Sequence, residues 1–174
     1  MHVSYFDLTV PVFKKNLLIT RTLLEKGLAH ALEIGMSESV FLEQRLAPDM
    51  FPLVKQVQIL TDTAKGAVAR LTEVEPLSIA DTETTVAELT ARIDRVVAFL
   101  DTVTPEQFSQ AADRKVTLPY IPDMYQTGAD YFADFVLPNF FFHMSMIYGL
   151  IRAQGVSIGK MDFLGSLKLH PLEA

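Results

Sequence analysis

The chain has 174 residues, the size of one domain, and 49% of them are hydrophobic, as in an ordinary globular protein. The formal net charge is −6, and lysine and arginine form no cluster. This argues against a nucleic acid partner, because binding its phosphates requires concentrated positive charge. Cysteine is absent, so disulfides, thiolate metal sites and a cysteine nucleophile are excluded.

Neither the N-terminal residues nor the most apolar stretch predicts contact with a membrane. The first residues lack the basic start and the long apolar core of a signal peptide. Residues 131–151 are nearly long enough to span a bilayer, but they contain Asp134, Pro138, Asn139 and His143. A buried helix explains this stretch better, and we expect a cytoplasmic protein without a membrane partner.

Two long stretches in the first half of the chain show the three-and-four spacing of apolar residues that predicts amphipathic helices. The first covers residues 6–31, and Gly35 ends it. The second covers residues 53–71, and Pro52 is expected in its first turn, where the missing N–H of proline is tolerated. A turn of helix is expected between them, after Ser37.

The second half of the chain predicts two further long helices. The third covers residues 86–100, with Asp81 or Thr82 as its N-cap. The fourth covers roughly residues 129–154 and is apolar on most of its faces. Four amphipathic helices with almost no strand favour an all-α protein, a four-helix bundle in which residues 1–174 form a single domain. The spacing alone leaves the up-and-down order of the helices open.

Three shorter segments complete the predicted architecture. Thr104 before Pro105 is typical of a cap followed by the first helical position, so a short helix should start there. Residues 114–128 contain two prolines, which restrict them to a small β-hairpin or an extended loop. The C-terminal tail shows no long period, and we expect it to lie across the bundle, anchored by Phe163 and Leu164.

The fourth helix carries two polar residues in its apolar stripe. Its inward face is predicted to comprise Phe132, Phe135, Asn139, Phe142, His143, Met146 and Leu150. Burying Asn139 or His143 without a partner would cost roughly 1–3 kcal/mol. The two side chains therefore either bond to each other and to a neighbouring helix or line a cavity, which a kink at Pro138 could open.

The second helix offers further polar candidates among its apolar residues. These are Gln56, Gln58 and Asp62, of which Gln58 and Asp62 lie one turn apart. His30, near the end of the first helix, is expected at the surface or at the edge of the core. The sequence contains no glycine-rich phosphate loop and no H-E-x-x-H or E-x-x-H metal motif, so those chemistries are not supported.

The helix lengths, the pattern of the fourth helix and its "LIRAQGV" end resemble the DinB/YfiT-like superfamily, which is associated with metal-dependent enzymes. Within it, "RLAPDMFPLVKQVQ", "LPNFFFHM" and "GKMDFLG" resemble a bacterial branch known only as a domain of unknown function. The resemblance covers essentially the whole chain. It implies an up-down-down-up four-helix bundle that is often dimeric.

The resemblance also implies the positions of metal ligands, one histidine on the second helix and an H-x-x-x-H pair on the fourth. His143 matches the second histidine of this pair, and Asn139 stands at the first. The helix-two histidine falls on Gln58, or on Gln56 if the register slips. Neutral amides are poor ligands for zinc or nickel, so we expect no cofactor and no tightly bound metal. A weak divalent site with a carboxylate from Asp62 stays an alternative.

Three functions are compatible with these residues. The first is a metal-free polar pocket that binds a small molecule, with candidate residues His143, Asn139, Gln58, Gln56 and Asp62. The second is an enzyme resembling the superfamily's thiol-dependent transferases and isomerases, with a weak metal or with His143 as a base. The third is a non-catalytic structural or interaction dimer in which Asn139 and His143 are a satisfied core pair.

The composition of the fourth helix leads to two further expectations. Its apolar residues cover almost every face, more than one core requires, which predicts a homodimer unless the C-terminal tail covers them. Burial of His143 should keep its imidazole neutral at pH 7, because desolvation disfavours the charged form. We expect this ring to be hydrogen-bonded to an amide, that of Asn139 or of Gln58.

Overall fold

The computed structural model describes residues 3–172, in which helices predominate. Its helices are α1 (Tyr5–Glu33), α2 (Glu38–Leu42), α3 (Leu53–Thr72), α4 (Val86–Leu100), α5 (Leu137–Ala153) and α6 (Lys160–Leu164). A 3₁₀ turn covers Pro105–Phe108, and strands β1 (Lys115–Leu118) and β2 (Ile121–Thr127) form an antiparallel pair. No helix within the described range combines the length and the apolar character needed to cross a membrane.

The four long helices, α1, α3, α4 and α5, pack around a shared hydrophobic core. Helices α1 and α3 each lie against both α4 and α5. Each long helix contributes side chains that are fully shielded from solvent, for example Leu17, Leu60, Ile93 and Ile147. Burying one such side chain contributes about 1.5–3 kcal/mol, so this core stabilises the arrangement of the helices. The prediction of a largely helical fold with a small hairpin before the last long helix is confirmed.

The predicted boundaries of the first helices are close to the observed ones. Helix α1 ends at Glu33, and Gly35 follows with a φ of 78°, in the left-handed region that favours glycine. Pro52 is the N-cap of α3 and therefore precedes its first turn. Thr104 precedes the 3₁₀ turn, with Pro105 in the first helical position as predicted.

The start of α4 differs from the prediction. Its N-cap is Thr85, not Asp81 or Thr82. The Thr85 hydroxyl accepts a hydrogen bond from the backbone N–H of Glu88 at 3.2 Å, and the Glu88 carboxylate accepts one from the backbone N–H of Thr85 at 3.1 Å. This reciprocal capping box provides hydrogen-bond partners for backbone N–H groups at the start of the helix. Asp81 is therefore available to pair with cations.

The hairpin leads directly into the last long helix through Gly128. Lys115 pairs with Thr127 across the two strands. A Cβ atom at Gly128 would overlap the backbone carbonyl of Ala111, so this close approach of two backbone segments requires glycine. Gly128 is thus the junction between the hairpin and the helix.

The C-terminal tail packs on α1, as predicted, and it does so by means of its short helix α6. Lys26 Nζ lies 2.6 Å from Asp162 Oδ1. The ring of Phe163 packs edge-on against Tyr148, with ring centroids 5.7 Å apart. Phe163 and Leu164 are both half-buried, which agrees with their predicted role as anchors.

The last long helix begins with irregular turns that the sequence did not predict. An α-helical turn (Gly128–Asp130) is followed by a π-helical segment (Tyr131–Val136), which continues without a break into α5. The π-helical segment ends just before Pro138, whose ring and missing N–H would disturb a regular α-helix here. Its wider turns rotate all later side chains relative to those of an uninterrupted α-helix.

This rotation makes the predicted inward stripe of the fourth helix partly wrong. Three of its residues are buried: Phe132, His143 and Leu150. Three others are only half-buried: Phe135, Asn139 and Met146. Phe142 is exposed, and the core instead receives Val136, Phe140, Met144, Ile147 and Ile151.

The apolar residues of this helix are largely covered within the chain. Phe140 packs against Phe13 of α1, with ring centroids 4.5 Å apart, and Tyr148 is covered by Phe163. Among the large apolar side chains between residues 131 and 151, only that of Phe142 is exposed, at 49%. The homodimer therefore stays a prediction. The apolar surface that supports it is no longer the whole helix but the area around the ring of Phe142.

Candidate binding site around His143

The side chain of His143 is buried at the interface of α3 and α5, where Gln56 holds it. His143 is 5% exposed, and its Nδ1 lies 2.7 Å from Gln56 Oε1. Gln56 Nε2 donates a hydrogen bond to the backbone carbonyl of Phe51 at 3.0 Å. These bonds connect α5, α3 and the segment before α3, so they fix the orientation of the imidazole.

The same contacts determine the tautomer of His143. Because Gln56 directs its Nε2 towards Phe51, the atom facing the imidazole is a carbonyl oxygen, which can only accept. Nδ1 therefore carries the proton, and Nε2 keeps a lone pair. Nε2 has no hydrogen-bond partner among residues 3–172, and in that range only Arg114 Nε is both fully buried and unpaired.

Burial lowers the pKa of His143 from its ordinary value of 6.5 to about 4. The physical cause is desolvation, since the imidazolium would lose its hydration at this interface. The ring is thus neutral at pH 7, in agreement with the prediction. Its partner is the amide of Gln56, however, and not that of Asn139 or Gln58.

Asn139 forms a separate polar contact between the same two helices. Its Nδ2 donates to Thr63 Oγ1 at 2.7 Å, and that hydroxyl donates to the carbonyl of Ile59 at 2.7 Å. Thr63 lies seven residues after Gln56, about two turns along the same face of α3. Asn139 and His143 therefore each pair with α3, and they form no hydrogen bond with each other within the described chain.

Gln58 and Asp62 point towards α4 and the segment before it instead of towards α5. Gln58 Nε2 donates to Glu83 Oε2 at 2.9 Å, and Asp62 Oδ1 accepts a hydrogen bond from Arg92 Nη2 at 2.6 Å. The five candidate residues thus form two groups on different faces of α3. Gln56 lies with His143 and Asn139 on the face towards α5, Gln58 and Asp62 lie on the other face, and the five do not converge on one pocket. The residue on α3 that meets His143 is Gln56, the alternative register, and not Gln58.

Arg92 is the centre of a charged group that we call the Arg92 cluster (Asp62, Asp81, Glu83 and Arg92). The Arg92 side chain is 1% exposed, and its Nη2 lies 2.6 Å from Asp62 and 2.9 Å from Asp81. Nη1 donates to Glu83 at 3.0 Å, and Nε donates to the Thr61 hydroxyl at 2.7 Å. Burial alone would lower the pKa of Arg92, but the hydrogen bond to Glu83 and the neighbouring carboxylate charges raise it above its ordinary value. The guanidinium is therefore charged and paired.

The Arg92 cluster was not predicted, although the sequence contains a signal for it. Arg92 lies three residues after Leu89 and next to Ile93, within the stripe that predicts the buried face of α4. A charge on that face requires partners, because burying it alone is very unfavourable. Asp81 and Glu83 supply them from the irregular segment before α4, where the sequence predicts only helix capping.

The residues at the implied metal-ligand positions do not fit a zinc or nickel ion. Those positions hold His143, Asn139 and either Gln58 or Gln56, and the amide oxygen of Gln56 already accepts the proton of His143 Nδ1. Neutral amides are weak ligands for these ions. Within residues 3–172, no three His, Cys, Asp or Glu side chains are arranged to hold a metal ion.

Comparisons with known proteins identify the family of this fold. Residues 5–164 match the family model described as a domain of unknown function (DUF1993). No protein of curated function matches the chain. The crystal structure of a DinB family member protein from Shewanella denitrificans is 37% identical, with a TM-score of 0.92 over 96% of this chain and 95% of that chain. The chain therefore belongs to the DUF1993 family, and its fold is DinB-like.

Proposed function

We propose that this protein binds a small molecule at His143 without the help of a metal ion. The observation that carries the proposal is that Gln56 holds the Nδ1–H group while Nε2 has no hydrogen-bond partner among residues 3–172. An imidazole fixed in one neutral tautomer is a preorganised hydrogen-bond acceptor, which reduces the entropy cost of binding. The proposal includes the up-down-down-up order of the four long helices that the family resemblance implies.

The proposed ligand carries an N–H or O–H group next to an apolar group. The ring of Phe142 packs edge-on against His143, with ring centroids 5.1 Å apart, and is 49% exposed. Phe51, whose carbonyl holds Gln56, is 55% exposed. An exposed aromatic ring beside a single acceptor favours a small aromatic or aliphatic ligand with one donor group.

An enzyme that uses His143 as a general base is less well supported. With a pKa of about 4, this imidazole is a weak base, whereas general-base catalysis is most effective when the pKa is near the working pH. A thiol-dependent transferase or isomerase of the superfamily type would need a metal or a stronger base. The amides of Gln56 and Asn139 provide neither.

A second candidate function is a non-catalytic homodimer that acts through its surface. The exposed rings of Phe51 and Phe142 support it, because aromatic side chains are enriched at protein interfaces. Light scattering at micromolar concentration tests this candidate. A dimer mass that becomes a monomer mass in Phe142→Ser is the expected result, and a monomer mass for the unchanged chain would contradict it.

A thermal-shift screen with small aromatic alcohols, amines and amides tests the binding proposal. Compounds that raise the Tm of the unchanged protein should not raise that of His143→Leu, which lacks the acceptor but has a similar volume. The matched control is His170→Leu, because His170 is exposed in the C-terminal tail. Compounds that stabilise all three proteins equally would contradict a site at His143. Binding that disappears after treatment with a chelator would contradict independence from metal.

A further inference from the structure

A cleft at the C-terminal half of α3 carries more positive than negative side chains. It has a volume of about 330 Å³, and its lining includes Asp62, Lys65, Gly66, Arg70, Pro76 and Leu77. None of these residues takes part in the hydrogen bonds around His143. A volume of this size suits a small molecule and not a macromolecule.

Arg70 is positioned in this cleft by two neighbours. Its Nη1 donates to the hydroxyl of the buried Tyr131 at 3.3 Å, and its guanidinium lies 6.0 Å from the centroid of that ring. The side chain folds back along α3 so closely that a Cβ at Gly66 would lie 2.5 Å from Arg70 Nη1. Arg70 is exposed, and within residues 3–172 no carboxylate lies within ion-pair distance of it, so most of its five N–H donors have no protein partner.

Lys65 provides the second cation and is only partly neutralised. Its side chain is 15% exposed, and Nζ lies 3.1 Å from Asp62 Oδ1. The same oxygen of Asp62 lies 2.6 Å from Arg92 Nη2, so one carboxylate serves two cations. Since Arg92 takes the shorter bond, Lys65 retains donors and positive charge for a further anion.

We propose that this cleft binds a small organic anion, whose carboxylate or phosphate group is held between Arg70 and Lys65. The fork of N–H groups on a guanidinium matches two oxygens of such a group, and an ammonium adds a point charge. Pro76 and Leu77 give the cleft an apolar wall, which suits a ligand with a hydrocarbon part. This site is separate from the one at His143 and does not depend on it.

Calorimetric titration with benzoate and with phenyl phosphate tests the proposal, and inorganic phosphate shows whether the apolar part matters. Removing the charge in Arg70→Gln should weaken binding at least about tenfold, the effect of losing a charge-assisted hydrogen bond. Arg95→Gln is the matched control, because Arg95 is an exposed arginine on α4 outside the cleft. It should bind like the unchanged protein.

A second variant separates the position of the cation from its charge. Gly66→Ala keeps every charged group but places a methyl group where the guanidinium of Arg70 lies, so it should also weaken binding. Alanine favours the helix more than glycine does, so this variant should fold. Equal weakening in Arg70→Gln and Arg95→Gln would show general charge attraction and overturn the proposal. The proposal would also be overturned if binding did not saturate at millimolar ligand concentration, or if Gly66→Ala bound the ligand as tightly as the unchanged protein.

Discussion

His143 Nδ1 on α5 and Gln56 Oε1 on α3 lie 2.7 Å apart in the buried interface between the two helices. A hydrogen bond of this kind contributes about 0.5–1.5 kcal/mol, whereas a buried group left unpaired costs about 1–3 kcal/mol. The contact links the helices without using a charge. Because only the neutral imidazole fits this interface, folding and protonation of His143 are coupled.

The free energy of unfolding should decrease as the pH is lowered from about 6.5 to about 4. In the unfolded chain His143 gains a proton near its ordinary pKa of 6.5, while burial holds its pKa in the folded protein at about 4. Between these values the unfolded state binds more protons, so up to about 3 kcal/mol of stability is lost, with no further loss from this group below pH 4. Urea titrations at a series of pH values measure this dependence.

The His143→Leu variant isolates this contribution, because many carboxylates also titrate at low pH. The unchanged protein should lose stability more steeply than His143→Leu between about pH 6.5 and pH 5, where most carboxylates are still ionised. His170→Leu, which alters an exposed histidine, should follow the unchanged protein. Parallel curves for His143→Leu and the unchanged protein would show that the imidazole of His143 is not desolvated.

At pH 7, replacing His143 with leucine should change the stability by no more than about 2 kcal/mol. The substitution removes a buried polar ring, which is favourable, but it leaves the amide oxygen of Gln56 unpaired, which is unfavourable. The double variant His143→Leu/Gln56→Leu should therefore be more stable than the sum of its single variants predicts. A double-mutant cycle by chemical denaturation measures the coupling energy between the two substitutions. Strictly additive changes in the free energy of unfolding would contradict the prediction.

Arg92→Met should destabilise the protein by about 3–5 kcal/mol, as expected when one partner of a buried ionic group is removed. The change leaves Asp62, Asp81 and Glu83 without their common cation, and the side chain of Glu83 is only 8% exposed. Arg95→Met on the same helix should change the stability by less than about 0.5 kcal/mol. Urea denaturation compares the two, and equal effects would contradict the central role of Arg92.

Gly128→Ala should destabilise the protein by about 1–3 kcal/mol, as other overpacking substitutions do. The added methyl group would overlap the backbone carbonyl of Ala111, which cannot move as freely as a side chain. Gly149→Ala is the control, since a Cβ there has no neighbour within 4 Å and lies inside α5. That variant should gain up to about 1 kcal/mol from helix propensity. Thermal melts of both variants should therefore shift in opposite directions.

Protein purified without chelator should contain well under one zinc or nickel ion per chain. The amides of Asn139 and of Gln58, or Gln56 in the alternative register, stand where metal-binding relatives are expected to have histidines, and amides hold these ions weakly. Elemental analysis of the purified protein, with the purification buffer as a blank, measures the content. A stoichiometric metal that is lost in His143→Leu would contradict this expectation.

The long helices could be predicted because the spacing of apolar residues is a local property of the sequence. The partner of His143 could not, because Gln56 and Gln58 are two residues apart, and two residues turn a helix by about 200°. Which amide faces α5 depends on how α3 is rotated in the bundle, and that is set by the whole core. Pro138 likewise predicted a disturbance of the last helix, but it did not predict the π-helical segment. The extra rotation of that segment exposes Phe142.

The irregular segment 73–85 between α3 and α4 depends on the Arg92 cluster for much of its attachment. Arg92 holds the carbonyl of Ala80 and the carboxylates of Asp81 and Glu83, whereas the apolar side chains of Leu77 and Ile79 are only partly buried. Few apolar contacts and a shared ionic attachment define a region that opens before the rest of the molecule. Its amide hydrogens should therefore exchange with solvent together, well ahead of those of α3 and α4, so that the folded protein has two cooperative units within one core.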